Sequence, residues 1–122
     1  MVIRKTIVNG HHIYDAELQG AHYYVYGFSY YDEMYSGKPF IADCERFYLI
    51  SADVYVKIMT MYRKDKYACE CYVYEYIDMD ILYSINHNQD SKFLYLGSTR
   101  DFCGHPNSAV IQAVIKYLSQ KR

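Results

Sequence analysis

VIRKTIVNGHHIYDAEL, residues 2–18, is the stretch that decides the fold. Two runs rich in β-branched and aromatic residues flank the pair Asn9-Gly10. Both residues of this pair accept the positive φ angles of a type I′ turn, so the pattern predicts a β-hairpin. We therefore expect a first strand that ends at Val8 and a second strand that begins at His11.

Further strands are predicted from alternation along the rest of the chain. Residues 21–31 contain aromatic side chains at every second position, and this period places them on one face of a third strand: Tyr24, Tyr26, Phe28 and Tyr30. A polar loop over residues 32–43 leads to a short strand at 44–50. The tyrosine-striped run 67–77 predicts another strand, and the runs 81–85 and 92–96 predict a second hairpin.

Two helices complete the predicted order. Ser51 is expected to cap the first, in which apolar residues recur at helical spacing: Val54, Ile58, Met61 and Tyr62. Asn107 is expected to cap the second, with this buried stripe: Val110, Ile111, Val114, Ile115 and Leu118. The order ββββ-α-βββ-α predicts an α+β fold, a mainly antiparallel sheet with helices against one face, in a single domain over residues 1–122.

Composition narrows the class of function. The chain has 122 residues and a formal charge of -1, which disfavours general binding to a nucleic-acid polymer. Its apolar runs are too short to cross a membrane, and no signal-peptide core follows Met1, so we expect a soluble cytoplasmic protein. A hydrophobic content of 52% excludes a disordered chain.

Cysteine and histidine patterns predict neither a metal site nor a cofactor. Cys69 and Cys71 lack the spacing of zinc ligands or of a redox pair, and the four cysteines are expected to be reduced core residues. Cys103 precedes a predicted helix start, where a thiolate is stabilised, and His105 is close to it in the sequence. A Cys-His nucleophile also needs a third, orienting group, so we expect no catalytic residues here.

The segment from Ser98 to Ser108 is the predicted anion site. It combines an arginine, hydroxyl and amide side chains and a helix start, which suit a phosphate or a pyrophosphate. The candidate ligand-binding residues of this segment are Ser98, Thr99, Arg100, Asp101, Phe102 and Asn107. An ordinary turn that leads into a capped helix is the alternative, because the segment matches no phosphate-binding fingerprint.

Aromatic residues suggest the rest of the ligand. The chain has 17 Tyr and 5 Phe but no Trp, and flat rings can stack on a base while Arg100 holds phosphate. Tyr26, Phe28 and Phe102 are the candidate platforms. Any of the other non-terminal arginines would strengthen the prediction if it converged on Arg100: Arg4, Arg46 or Arg63. The expected ligand is a small nucleotide.

The chain resembles the first-described family of phage Thoeris anti-defence proteins. The likeness rests on length, on tyrosine-striped antiparallel strands and on a final hairpin that passes through Gly97-Ser98-Thr99-Arg100 into a carboxyl-terminal helix. It implies a sponge that sequesters, without cleavage, the cyclic nucleotide messenger glycocyclic ADP-ribose made by bacterial TIR proteins. It also implies a homodimer or higher homo-oligomer with pockets at subunit contacts, acting in the host bacterial cytoplasm, with Arg100 as a phosphate partner.

Two alternatives stay open from the sequence. A tyrosine-rich surface is also typical of an inhibitor or interaction module that binds another protein. A small nucleotide-cleaving enzyme would use His105 or His22 as acid or base.

Overall fold

The fold is α+β, as the sequence predicts. A computed structural model describes residues 2–8, 11–30, 44–76, 92–102 and 105–121. In chain order the elements are β1 (Val2–Val8), β2 (His11–Leu18), β3 (Ala21–Tyr30), β4 (Cys44–Ile50), α1 (Ala52–Lys64), α2 (Lys66–Tyr76), β5 (Leu94–Ser98) and α3 (Pro106–Gln120). The described part thus contains five strands and three helices, one helix more than expected.

The five strands form one antiparallel sheet in the order β1-β2-β3-β4-β5. β1 and β2 pair with Val8 opposite His11, as expected for the predicted hairpin, although Asn9-Gly10 lies outside the described residues. β2 and β3 are joined by Gln19 and Gly20, whose φ angles are both positive, at 51° and 80°. A two-residue turn of this kind matches the twist of a hairpin.

Helix α1 begins and ends as its sequence predicts. The Ser51 side chain accepts a hydrogen bond from the N–H of Val54 at 3.2 Å and so satisfies one of the first amides of the helix. Val54 and Ile58 are buried against the sheet. The N–H of Asp65 donates to the carbonyl of Met61 at the other end.

The prediction of a strand at residues 67–77 is wrong, because residues 67–76 belong to α2; residue 77 lies outside the described residues. The Asp65 side chain accepts hydrogen bonds from the N–H groups of Tyr67 and Ala68, at 3.0 and 3.2 Å, which starts the second helix directly after the first. The buried residues of α2 then follow helical spacing: Cys69, Tyr72 and Val73. Helix packing therefore overrides the strand preference of alternating tyrosines.

The second predicted hairpin also differs. Residues 81–85 lie outside the described residues. The run 92–96 yields β5, shifted to Leu94–Ser98, and it pairs antiparallel with β4. The loop predicted at 32–43 lies outside the described residues as well.

Helices cover both faces of the sheet, so the expectation of helices on one face is wrong. On the α1/α2 face, the helices pack on Ile13 of β2, on Tyr26 and Phe28 of β3, and on Tyr48 of β4. On the α3 face, the last helix packs on Tyr14, Val25 and Phe47. Both faces of the central strands carry apolar side chains, which is why two helical layers fit.

Helix α3 begins earlier than predicted. His105 caps it, with Nδ1 accepting from the N–H of Asn107, so the assignment of Asn107 as the cap is wrong. Pro106 occupies the first turn, where its missing N–H costs nothing. Val110 and Val114 are buried as predicted, whereas Ile115 is 46% exposed. The small residues Ala109 and Ala113 take its place against the sheet.

Candidate ligand-binding site

A row of chemically different side chains crosses the α1/α2 face. Phe28 on β3 lies opposite Arg46 on β4, and Arg46 lies opposite Ser98 on β5. The ring of His11 on β2 stacks on Phe28, with centroids 4.9 Å apart and planes 11° from parallel. The antiparallel register therefore sets an imidazole, a phenyl ring, a guanidinium and a hydroxyl side by side.

Two rings of this row, His11 and Phe28, belong to a larger aromatic cluster. We define the cluster as His11, Tyr26, Phe28, Tyr48 and Phe93. Tyr26 lies opposite Tyr48 on the neighbouring strand. Phe93 meets Tyr26 edge to face, with centroids 5.8 Å apart. Phe28 and Arg46 are only 5% and 6% exposed. The guanidinium is thus largely removed from water beside flat apolar rings.

Charges near Arg46 act on one hydroxyl at its side. Burial raises the pKa of Tyr95, the carboxylate of Asp101 raises it further, and the guanidinium of Arg46 and a hydrogen bond with Ser98 lower it. Tyr95 is also close to Tyr48, with ring centroids 5.5 Å apart. The charges of Arg46 and Asp101 therefore both act on the hydroxyl of Tyr95, close to where β4 and β5 pair.

His11 brings an uncharged ring to the cluster. Burial lowers the pKa of its imidazole, and the nearby carboxylate of Glu70 on α2 only partly offsets that effect. A neutral imidazole can both donate and accept a hydrogen bond. The row therefore offers one fixed positive charge, in Arg46, next to rings suited to a base.

The first four backbone N–H groups of the predicted anion loop, residues 98–101, are already engaged in hydrogen bonds. The N–H of Ser98 donates to Asp101 Oδ2 at 2.8 Å, and the N–H of Asp101 returns to the Ser98 carbonyl at 2.9 Å. The N–H of Arg100 donates to Ser98 Oγ at 3.2 Å, and that of Thr99 to the Glu45 carbonyl at 3.0 Å. These hydrogen bonds form a compact turn, which is the alternative that the sequence leaves open. The Arg100 side chain is the loop's remaining candidate for contact with a phosphate.

The structure divides the predicted site residues between the two faces of the sheet. Tyr26, Phe28 and Ser98 come together on the α1/α2 face. Phe102 instead packs against the core of the α3 face, where its ring lies over Gly97. Thr99 is held by β4, since its Oγ1 accepts from the N–H of Glu45 at 3.2 Å.

Arg100 and Asn107 follow β5 in the chain and take no part in the strand pairing that forms the row. Arg100 is exposed at the turn after β5. Asn107 is half-buried in the first turn of α3, and its Oδ1 is buried without a hydrogen-bond partner among the described residues. Ligand binding by these two residues stays a prediction.

Sequence reasoning did not assign Arg46 or His11 to the site, nor Tyr48 and Phe93 of the aromatic cluster. A signal existed for Arg46, because it is the one basic residue of the short predicted strand 44–50 and alternates with Tyr48. The partner strands were needed to show that this position faces Phe28. The sequence alone does not fix that register, because the loop predicted at 32–43 is long.

A second polar group is buried on the α3 face. The hydroxyl of Tyr14 donates to both carboxylate oxygens of Glu45, at 3.1 and 2.8 Å, and His12 Nδ1 lies 3.1 Å from Glu45 Oε2. Burial, followed by the charge of Glu45, raises the pKa of Tyr14 well above its ordinary value. Tyr14 is therefore a permanent donor to a buried carboxylate, which also orients the His12 ring.

Other candidate catalytic groups have structural contacts. His105 caps α3, and His22 Nδ1 lies 2.8 Å from Asp15 Oδ1 on the surface. Burial raises the pKa of the Cys69 thiol, and the thiol donates to the Ile58 carbonyl. Cys103 lies outside the described residues.

The described residues lack the features of two other classes of site. Within them, no group of three or more His, Cys, Asp or Glu side chains is placed to hold a metal ion. No helix in the same part of the chain is long and apolar enough to cross a membrane. Comparison of the chain with protein-family models, curated proteins and solved structures gives no match.

Proposed function

We propose that the protein binds a compact cyclic nucleotide, of the glycocyclic ADP-ribose type made by TIR proteins, and holds it without cleaving it. One observation carries this proposal: the guanidinium of Arg46 lies buried opposite Phe28, beside the aromatic cluster. Rings of this kind suit a base, and a guanidinium suits a phosphate. The resemblance to phage Thoeris anti-defence proteins points to the same ligand class.

Arg46 supplies the contact that the sequence assigned to Arg100. A partly desolvated guanidinium forms stronger hydrogen bonds to a phosphate than an exposed one does, because water competes less for its donors. Ser98, directly opposite Arg46, adds a hydroxyl at the same place. Arg100, two residues further along the chain, reaches the ligand from the exposed turn.

The resemblance to phage Thoeris anti-defence proteins also supports a proposal for the compartment and the oligomeric state. The protein would act in the host bacterial cytoplasm as a homodimer or higher homo-oligomer, with a second copy completing each pocket. The formal charge of -1 fits a small anion better than a polymer, since a local positive group is enough to hold it.

The contacts of the titratable side chains favour storage of the ligand over turnover. His105 and His22, the two histidines considered for an enzyme, are held by the α3 cap and by Asp15. The His12 ring is held by Glu45. Each of these three histidine rings therefore already has a side-chain or backbone partner within the fold.

The protein-binding alternative has less support from burial. Of the tyrosines whose burial is described, Tyr67 alone is exposed, at 75%. The remainder are buried or half-buried, and several pack within the two cores. Most described tyrosines therefore contribute to packing, which leaves a narrower surface for a partner protein.

Calorimetric titration with glycocyclic ADP-ribose tests the proposal. We expect saturable binding and a higher melting temperature, because a ligand bound only by the folded state stabilises it by mass action. Mass spectrometry of the ligand after denaturation should return the unchanged cyclic compound. Absence of binding would refute the proposed function, and recovery of a linear product would replace it with an enzyme.

A further inference from the structure

An irregularity in the pairing of β4 with β5 changes which side chains of β5 face the candidate site. Tyr48 of β4 lies opposite Tyr95 of β5. Phe47, the preceding residue of β4, lies opposite Gly97, two residues further along β5. At this point β5 therefore has one residue more than β4, Leu96, which packs on the α3 face. An extra residue of this kind is a β-bulge, a feature that re-aims side chains and is frequent beside functional sites.

Because of the bulge, Tyr95 and Ser98 face the α1/α2 side together. Residues three apart in a regular strand point to opposite faces. Here Ser98 lies opposite Arg46, and Tyr95 packs on the α1/α2 core with its ring centre 5.5 Å from that of Tyr48. The side chains of Tyr95 and Ser98 are joined by a hydrogen bond. The bulge thus places two linked hydroxyl groups beside the guanidinium of Arg46.

These two hydroxyls and the Phe28 ring lie on opposite sides of Arg46. In the order of the sheet, β3 carries Phe28, β4 carries Arg46, and β5 follows with the two hydroxyls. The α1/α2 face thus presents a flat ring, a positive charge and a pair of hydroxyls in succession. A ligand of the ADP-ribose type has a matching succession, because its adenine base is followed by a pyrophosphate and then by a second sugar.

The chemistry on the β5 side suits a sugar better than a further phosphate. Sugar hydroxyls donate and accept hydrogen bonds, as the hydroxyls of Tyr95 and Ser98 also do. The carboxylate of Asp101 accepts a hydrogen bond from the N–H of Ser98 at 2.8 Å, and its charge acts on the Tyr95 hydroxyl. This negative charge would repel a phosphate at the same place but not an uncharged sugar. Tyr95 is only half-buried, so part of its side chain is accessible.

We propose that Tyr95 and Ser98 bind the second sugar of an ADP-ribose-type ligand, beyond the phosphate contact at Arg46. This inference rests on the proposed function and makes it more specific, because it requires a ligand that carries a sugar on the far side of its pyrophosphate. Tyr95 is then a specificity-determining residue. It distinguishes ADP-ribose from ADP, which has the same base and pyrophosphate but lacks the second sugar.

Calorimetric titration with ADP-ribose and with ADP tests this inference, because the two probes differ by that sugar. We expect the unaltered protein to bind ADP-ribose about tenfold more tightly than ADP. Tyr95→Phe removes the hydroxyl and keeps the ring. It should weaken binding of ADP-ribose and of glycocyclic ADP-ribose by about fivefold or more, and leave the affinity for ADP within about twofold. Tyr23→Phe is the matched control, because Tyr23 is also half-buried but packs on the α3 face, and it should leave all three affinities unchanged.

The three ligands separate this inference from the proposed function. If Tyr95→Phe selectively weakens ADP-ribose while glycocyclic ADP-ribose does not bind at all, the sugar site stands and the proposed function falls. If glycocyclic ADP-ribose binds the unaltered protein and Tyr95→Phe with affinities within about twofold, the proposed function stands and the sugar site is overturned. Equal affinities for ADP and ADP-ribose, or equal weakening of both by Tyr95→Phe, would also overturn the sugar site. Absence of binding by all three ligands would refute both proposals.

Discussion

The carboxylate of Glu45 occupies the space that a side chain at Gly27 would need. A Cβ atom at position 27 would collide with this carboxylate and would come within 3.0 Å of the Tyr14 ring. Gly27 lies in the middle of β3, where glycine otherwise weakens a strand. The close approach of the buried acid explains why a residue without a side chain fits here.

Gly27→Ala is therefore expected to destabilise the protein by about 1–3 kcal/mol, the range for overpacked cores. Urea denaturation measures the loss. In a double-mutant cycle with Glu45→Ala, the alanine at position 27 should cost less, because the group that it displaces has been shortened. Equal costs in both backgrounds would show that Glu45 does not compete for this space.

Tyr14→Phe tests the hydrogen bonds to the buried acid. Loss of the Tyr14 hydroxyl leaves Glu45 with fewer donors, and we expect the free energy of unfolding to fall by about 1.5–3 kcal/mol, as for hydrogen bonds to charged groups. Tyr62→Phe, on the half-buried side of α1, is the control and should change stability by less than about 0.5 kcal/mol. Similar losses in the two variants would argue against a special role for Tyr14.

Sequence patterns predicted the sheet better than the helices that pack on it. The Asn9-Gly10 signal and the alternation of Tyr24, Tyr26 and Phe28 are local, and the paired strands follow them. The Ser51 cap is local as well. In α2, by contrast, tyrosines at every second position favour a strand, while Cys69 and Val73 have helical spacing. Only packing against the sheet decides between these two patterns.

The candidate site was harder to predict because it depends on register. Phe28 and Tyr26 were identified from their own strand, but Arg46 joins them only through the pairing of β3 with β4. Phe102 shows the opposite case, since its ring fills the space over Gly97 and is not available as a platform on the other face. The pairing of Phe28 with Arg46 and the contact of Phe102 with Gly97 each join separate positions, so the pattern of a single segment does not predict them.

Protonation of His11 should make stability depend on pH. Burial lowers the folded-state pKa of His11 below its ordinary value of 6.5, so below that pH the unfolded chain binds more protons than the folded protein. The free energy of unfolding should then fall as the pH is lowered through 6.5 toward the folded-state pKa. His11→Phe keeps a ring against Phe28 and should flatten this dependence in urea denaturation between about pH 5 and 8. An unchanged pH profile would contradict a buried, neutral His11.

Helix α3 allows a comparison of two neighbouring apolar residues. Val114 is fully buried, so Val114→Ala should lower the free energy of unfolding by about 2 kcal/mol through lost burial and a cavity. Ile115→Ala should change it by less than about 0.5 kcal/mol, because Ile115 faces outward. Thermal and urea denaturation of both variants provide the measurement. A large loss at Ile115 would indicate that another surface covers this residue in solution.

Substitutions of Arg46 and Arg100 are expected to weaken ligand binding by different amounts, and this difference is the sharpest test of the site. Arg46→Lys keeps the charge but loses the planar fork that binds two phosphate oxygens, and we expect it to weaken binding of glycocyclic ADP-ribose by about 1.5–3 kcal/mol. Arg100→Ala removes an exposed guanidinium, whose contact is screened by water, and should cost less than about 1 kcal/mol. Calorimetry measures both changes in affinity, on variants whose melting temperatures are unchanged. Phe28→Leu removes the ring that would stack on the base, without a change of charge, and should also weaken binding. If Arg100→Ala abolishes binding while Arg46→Lys leaves it intact, the phosphate lies at the turn after β5 and the cross-strand row is only part of the core.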